Sequence, residues 1–125
     1  MIVLDTSVWI EFLRMHEPIA TRVEEEITAG RVLGLSWIVG ELLQGAKGAY
    51  EIRVLEMFWQ QLPKISEESV WIEAGKLSCA NKYFEQGVGL IDVATIVAAR
   101  RANAKVWTLD KKLSGVLGRG ARFEL

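Results

Sequence analysis

Aspartate is scarce in this chain, and where it occurs it keeps unusual company. Of sixteen acidic residues thirteen are Glu and three are Asp, and Asp5, Asp92 and Asp110 all lie in apolar surroundings: IVLD, GLIDVA and VWTLD. Glu41 joins them, held between Ile38-Val39-Gly40 and Leu42-Leu43, whereas most other Glu residues sit in polar runs where hydration explains them. A charge beside a buried segment costs free energy unless hydrogen bonds or a counter-charge compensate it. Each acid has a local account: Asp5 could accept from the turn after it, Asp92 could favour a helix N-terminus, Asp110 could cap a helix, and Glu41 could pair with a basic neighbour. Taken together they suggest another chemistry, because Asp5 and Asp110 both follow strand-like segments while Asp92 and Glu41 begin or line helices beside the same sheet edge. Four carboxylates converging there would repel one another and raise their own pKa values, a strain that a divalent cation relieves. Oxygen ligands without His or Cys point to Mg2+ or Mn2+. Such an ion can activate water and stabilise the charge on a phosphoryl group during in-line displacement.

Two hydroxyls accompany the acids. Ser7, two residues after Asp5, and Thr108, two before Asp110, are placed to bond these carboxylates or a phosphate, and capping or strand packing explains them equally well. Lys111, Lys112, Arg100 and Arg101 could position a nucleic-acid backbone without reading its sequence. From Val97 to Leu125 seven Lys and Arg residues face two acids, while the rest of the chain is acidic. That asymmetry suits a phosphate-bearing partner, although a solvated face produces it too.

The elements that must carry these groups follow from pattern and punctuation. Ile2-Val3-Leu4 reads as a short buried strand, and Thr6-Ser7 supply capping oxygens for a helix bearing Val8, Trp9, Phe12 and Leu13. Pro18 opens a second helix that ends at Ala29-Gly30 and contains the run Glu24-Glu25-Glu26, read as exposed. RVLGLS (31–36) reads as a strand, 37–48 as a helix closed by glycines, and 50–62 as a helix ended by Pro63. KIS gives a short strand, and a long helix starts at Ser66 and reaches Phe84. The stretch 90–103 is apolar nearly all round until its basic end, which predicts a buried helix. KVWTL (105–109) is a strand, Asp110 caps the helix KKLSGVL, and ARFEL forms a last edge strand. Strands alternating with helices predict an α/β fold: a three-layer α/β/α sandwich around a central, mainly parallel sheet of four to five strands. Sites in such sheets lie at the C-terminal strand ends.

At 125 residues, half of them hydrophobic and a quarter charged, the chain suits one domain, 1–125, with a core that needs no disulfide. No basic segment precedes the first apolar stretch, and the longest apolar run, Val88 to Ala99, is short and interrupted by Asp92, so neither a leader nor a membrane span is expected. The single Cys79 and single His16 offer no zinc ligand set and no pair of imidazoles, and a cytoplasmic setting fits the lone thiol. The helices at 8–13 and 50–62 carry more apolar residues than one core-facing stripe needs, among them Ile52, Leu55, Phe58 and Trp59. Part of that surface is expected to be covered by a second copy or by a partner helix.

Asp5 in LDTSVWI, Glu41 in GELLQGA, Asp92 in LIDVATIVAA and Asp110 in TLDKKL stand in the order and approximate spacing of the PIN-domain ribonucleases, which the chain resembles over nearly its whole length. Its short single-domain build is similar to the VapC-type toxins of toxin–antitoxin pairs. The resemblance implies that Asp5 and Asp92 are the principal metal ligands, that Glu41 and Asp110 complete the cluster, and that Thr108 matches the hydroxyl residue of the last motif. It further implies Mg2+-dependent cleavage of RNA, with Mn2+ as a substitute, leaving 5′-phosphate and 3′-hydroxyl ends. Dimerisation, and inhibition by an antitoxin whose arm crosses the site, belong to the same expectation.

Three other readings compete. A PIN nuclease of RNA processing would share the site without being a toxin. A receiver-like phosphoacceptor also gathers acids, a hydroxyl and a Lys at strand ends, but has an adjacent acid pair after an early strand that is absent here. A non-catalytic module could use the acids to capture an Arg or Lys of a partner, and would need no metal.

Overall fold

The apolar triplet at the N-terminus becomes the first strand of a computed structural model that covers residues 1–125. β1 (Ile2–Leu4) is buried along its whole length and pairs in parallel with β2 (Lys105–Trp107), Val3 opposite Val106 and Leu4 opposite Trp107. Helices α1 (Thr6–Leu13), α2 (Ile19–Thr28), α3 (Ser36–Gln44), α4 (Ala49–Gln61), α5 (Val70–Asn81) and α6 (Leu90–Arg101) lie between the two strands in the chain, and α7 (Lys111–Val116) follows them. The fold is mixed α/β with parallel strands, as the alternating pattern predicts.

The sheet itself is smaller than the four to five strands expected. Only β1 and β2 form a ladder, and the other three candidates are reduced to single parallel bridges: Val32 with Ile2, Lys64 with Gly34, and Arg122 with Val106. The segment 31–34 divides itself between two neighbours. Arg31 O and Leu33 N–H bond to Ile2, and Gly34 N–H already donates to Pro63 O at 2.8 Å. A Cβ on Gly34 would stand 3.0 Å from Leu62 Cβ, so the close approach at that bridge needs glycine. Pro63 has no N–H to extend the pairing.

The helix at 90–101 is the central support. Val93 to Ala99 are all buried, and α6 packs on α5 and against both strands. The helix predicted from Ser66 to Phe84 is shorter, running from Val70 to Asn81, with a separate 3-10 turn at Phe84–Gln86. The segment before it is tied down from both sides. Arg101 donates to the carbonyls of Ser66 and Glu68, and Glu67 accepts from the backbone N–H and hydroxyl of Ser36 at the start of α3. The 37–48 helix likewise stops at Gln44.

Of the Glu triplet, only Glu24 and Glu25 meet solvent. Glu26 is 3% exposed and accepts from Arg22 Nε at 3.0 Å and from Arg31 Nε. The Arg31 hydrogen bond leads in lowering its pKa, against the opposing effect of burial. A depressed carboxyl stabilises the fold above its unfolded pKa and loses that contribution as pH falls through its folded value. Urea unfolding of Glu26→Gln should therefore show a loss of about 2 kcal/mol at neutral pH, shrinking towards zero in acid. A constant loss across pH would assign the effect to packing.

No helix is long and apolar enough to cross a membrane. Three of the five tryptophans, Trp9, Trp37 and Trp107, are core residues. Of the apolar surface on α1 and α4, Val8, Trp9 and Leu55 are also core, and Trp9, Phe12 and Phe58 meet edge-on with centroids 5.5–5.9 Å apart. Leu13 and Ile52 remain exposed.

Candidate active site

The parallel register of β1 and β2 brings their C-terminal ends side by side, and Asp5 and Thr108 follow directly on those ends. Asp5 is 8% exposed and caps α1. Its Oδ1 accepts from the backbone N–H of Ser7 at 2.7 Å and from the Ser7 hydroxyl, and its Oδ2 accepts from the Thr108 hydroxyl. Both hydroxyls receive backbone donors in turn, Leu109 N–H on Ser7 Oγ and Asp110 N–H on Thr108 Oγ1, each at 3.0 Å. Asp110 caps α7 through Lys112 N–H at 2.7 Å and Leu113 N–H at 3.3 Å. The two strand-end acids are thus also helix caps, and capping and site geometry reinforce one another.

Asp92 sits in the first turn of α6 and Glu41 near the middle of α3. Burial pushes the Asp92 carboxyl up to about 6, and the charges of Asp110, Asp5 and Glu41 push the same way against a backbone hydrogen bond from the Gly89 side. Glu41 is raised too, first by burial and then by the Asp5 charge. Glu41 is exposed as a residue, and its carboxyl still feels the Asp5 charge. All four predicted acids therefore share one field. They do not form a closed cage, since no three acidic, His or Cys groups stand within ligand-cluster distance. An open set of hard carboxylate oxygens fits Mg2+, which keeps several waters and takes few protein ligands. Asp5 and Asp92, the most enclosed pair, are the residues that would hold it.

The cations divide. Lys111 and Lys112 are exposed immediately beyond Asp110, and the Lys112 side chain lies across Gly87, where a Cβ would stand 3.0 Å from its Cδ. Arg100 and Arg101 lie farther from the acids. They end the helix that Asp92 begins, and eight residues of α-helix separate Arg100 from Asp92 by about 12 Å. Arg101 is also engaged elsewhere, with Nη2 2.7 Å from Glu73 Oε2 and its Nη1 on two carbonyls. It braces α6 against α5 and the 66–68 segment.

Two features escape a reading of the sequence. Thr95, 2% exposed, accepts from the indole Nε1 of Trp37 at 3.0 Å; the only outward sign is a hydroxyl within an otherwise apolar run. Beside Glu41, a groove of about 610 Å3 opens between α1, α3 and α4, with Ile10, Leu13, Leu42 and Val54 among its walls.

No curated protein matches the chain. The PIN domain family does, over residues 2–116. That match runs from the first residue of β1 to the last of α7 and takes in all four acids, so the chain belongs to the PIN domain family, to which Mg2+-dependent nuclease activity is ascribed.

Proposed function

We propose that the protein is a Mg2+-dependent endoribonuclease and the toxin of a type II toxin–antitoxin pair, acting in the cytoplasm. The observation that carries the nuclease reading is the single electrostatic field of Asp5, Glu41, Asp92 and Asp110 at the ends of two parallel strands. Asp5 and Asp92 hold the cation, and Glu41 and Asp110 complete the acidic wall. Ser7 and Thr108 fix the Asp5 carboxylate by donating to both its oxygens. Lys111 and Lys112 meet the phosphate backbone, which gives affinity without sequence choice. When bound, Mg2+ or Mn2+ supplies an activated water and stabilises the charge on the phosphoryl group. The products carry 5′-phosphate and 3′-hydroxyl ends. The toxin reading is supported by the apolar groove lined in part by Thr6 and Glu41, where an antitoxin arm would cover the site. A homodimer buries part of the exposed α1 and α4 surface.

A mixed pool of structured and unstructured RNAs tests the activity. Cutting is expected with Mg2+ or Mn2+ and none with EDTA; cleavage that persists in EDTA overturns the mechanism. Growth arrest on expression, relieved by a co-expressed antitoxin, tests the biological role. Cleavage without arrest returns the protein to RNA processing.

A further inference from the structure

Glu41 and Asp92 belong to different helices, and the close backbone neighbours of α3 are α1 and α4. Between α3 and α6 one side-chain hydrogen bond is made, from Trp37 Nε1 to Thr95 Oγ1 at 3.0 Å. Both residues are buried, Trp37 at 9% and Thr95 at 2% exposure. The Thr95 hydroxyl passes its own proton on to Ile91 O, also at 3.0 Å. An indole N–H can only donate, whereas a hydroxyl can accept and donate at once, so the direction of this relay is fixed. Its ends are informative. Trp37 stands one helical turn before Glu41, and residues four apart share a helix face. The Ile91 carbonyl belongs to the peptide unit whose N–H is that of Asp92. The relay therefore joins the helix of one acid to the backbone of the other. Trp71 packs edge-on against the indole, with centroids 5.2 Å apart, and holds it from outside.

We propose that Trp37 and Thr95 are positioning residues that set the separation of Glu41 and Asp92, and through it the cation affinity of the site. The inference rests on reading that site as a metal centre. A Thr in a helix often bonds the carbonyl four residues back, and that half alone would be a local matter. What makes it a device for the site is the buried indole donor arriving from the helix of Glu41.

Calorimetric titration of Mn2+ alone into the purified chain tests this without substrate. Thr95→Val keeps the volume and removes the hydroxyl, Trp37→Phe removes the donor, and Thr95→Ser retains the relay. The Mn2+ Kd should rise about tenfold in Thr95→Val and Trp37→Phe, the scale of loss when a group behind a metal ligand is removed. Thr95→Ser should bind as the wild type does. Each variant is titrated well below its own melting temperature, and Trp37→Phe carries the test if Thr95→Val does not fold. Folded variants with wild-type Kd would show that the bond serves stability alone and overturn the inference. So would Thr95→Ser binding as weakly as Thr95→Val, since the hydroxyl would not be the cause. A wild type that binds no Mn2+ at all overturns the metal-centre reading itself, and this inference with it.

Discussion

RNA cleavage by Asp5→Asn should fall by more than about 100-fold, beyond the loss expected for a group that only supports a metal ligand. The fold should survive, for reasons visible in the hydrogen bonds around Asp5. Its Oδ1 carries the helix cap, accepting from Ser7 and Val8 N–H, and the amide oxygen of Asn can take that place. Its Oδ2 faces the Thr108 hydroxyl, and an amide NH2 in that position would donate to a hydroxyl that can turn and accept. Charge is lost while shape and cap are kept. Cleavage rate, Mn2+ titration and thermal melting read the three consequences separately. A variant that melts like the wild type and still cuts at its rate would remove Asp5 from the mechanism.

Asp92→Asn should act in two directions at once, abolishing cleavage and raising the stability of the metal-free protein. The unfolded chain ionises Asp92 near 3.8, whereas in the fold burial and the three other acids hold its proton up to about 6. Between those values the folded chain binds a proton that the unfolded chain has released. Its contribution to stability is therefore whole below the lower value and is lost as pH rises through the higher one. Asn never ionises. In EDTA the two melting curves should coincide near pH 4 and separate above pH 6, with Asp92→Asn higher by about 4 °C, or about 1 kcal/mol once solvent screening of a partly exposed carboxyl is allowed for. Mg2+ should close the gap by raising the wild type, since a ligand stabilises the state that binds it. A variant that melts lower at every pH would show Asp92 to be a stabilising partner rather than an acid held against repulsion.

Three of the four acids stood out in the sequence because an Asp beside IVL, GLI or VWTL is visible without coordinates, and Glu41 because it interrupts the apolar run IVG and LL. The strands that aim two of them were legible for the same reason, being short apolar runs. The full extent of the sheet was not. RVLGLS and KIS have strand-like composition, but pairing depends on which neighbour takes each N–H, and Gly34 gives its own to Pro63. Arg101 resembled its neighbour Arg100 until α5 brought Glu73 to it. Glu26 was hidden by its company, since a triplet of Glu reads as solvated and nothing local shows which of the three turns inward towards Arg31. Trp37 and Thr95 lie 58 positions apart, beyond any periodicity. What a side chain is can be read in place, but what it touches across the fold depends on packing that no local pattern records.

One of the two hydroxyls that hold Asp5, that of Thr108, comes from a residue 103 positions later in the chain. Contacts of such sequence separation close late, after the intervening chain has been made and gathered. On a ribosome, Asp5 and Glu41 emerge long before Asp92 and Asp110, and β1 must wait for β2 before its end can carry a site. A chain that stops short of Thr108 cannot make this bond, and the clasp closes when the ends of β1 and β2 meet.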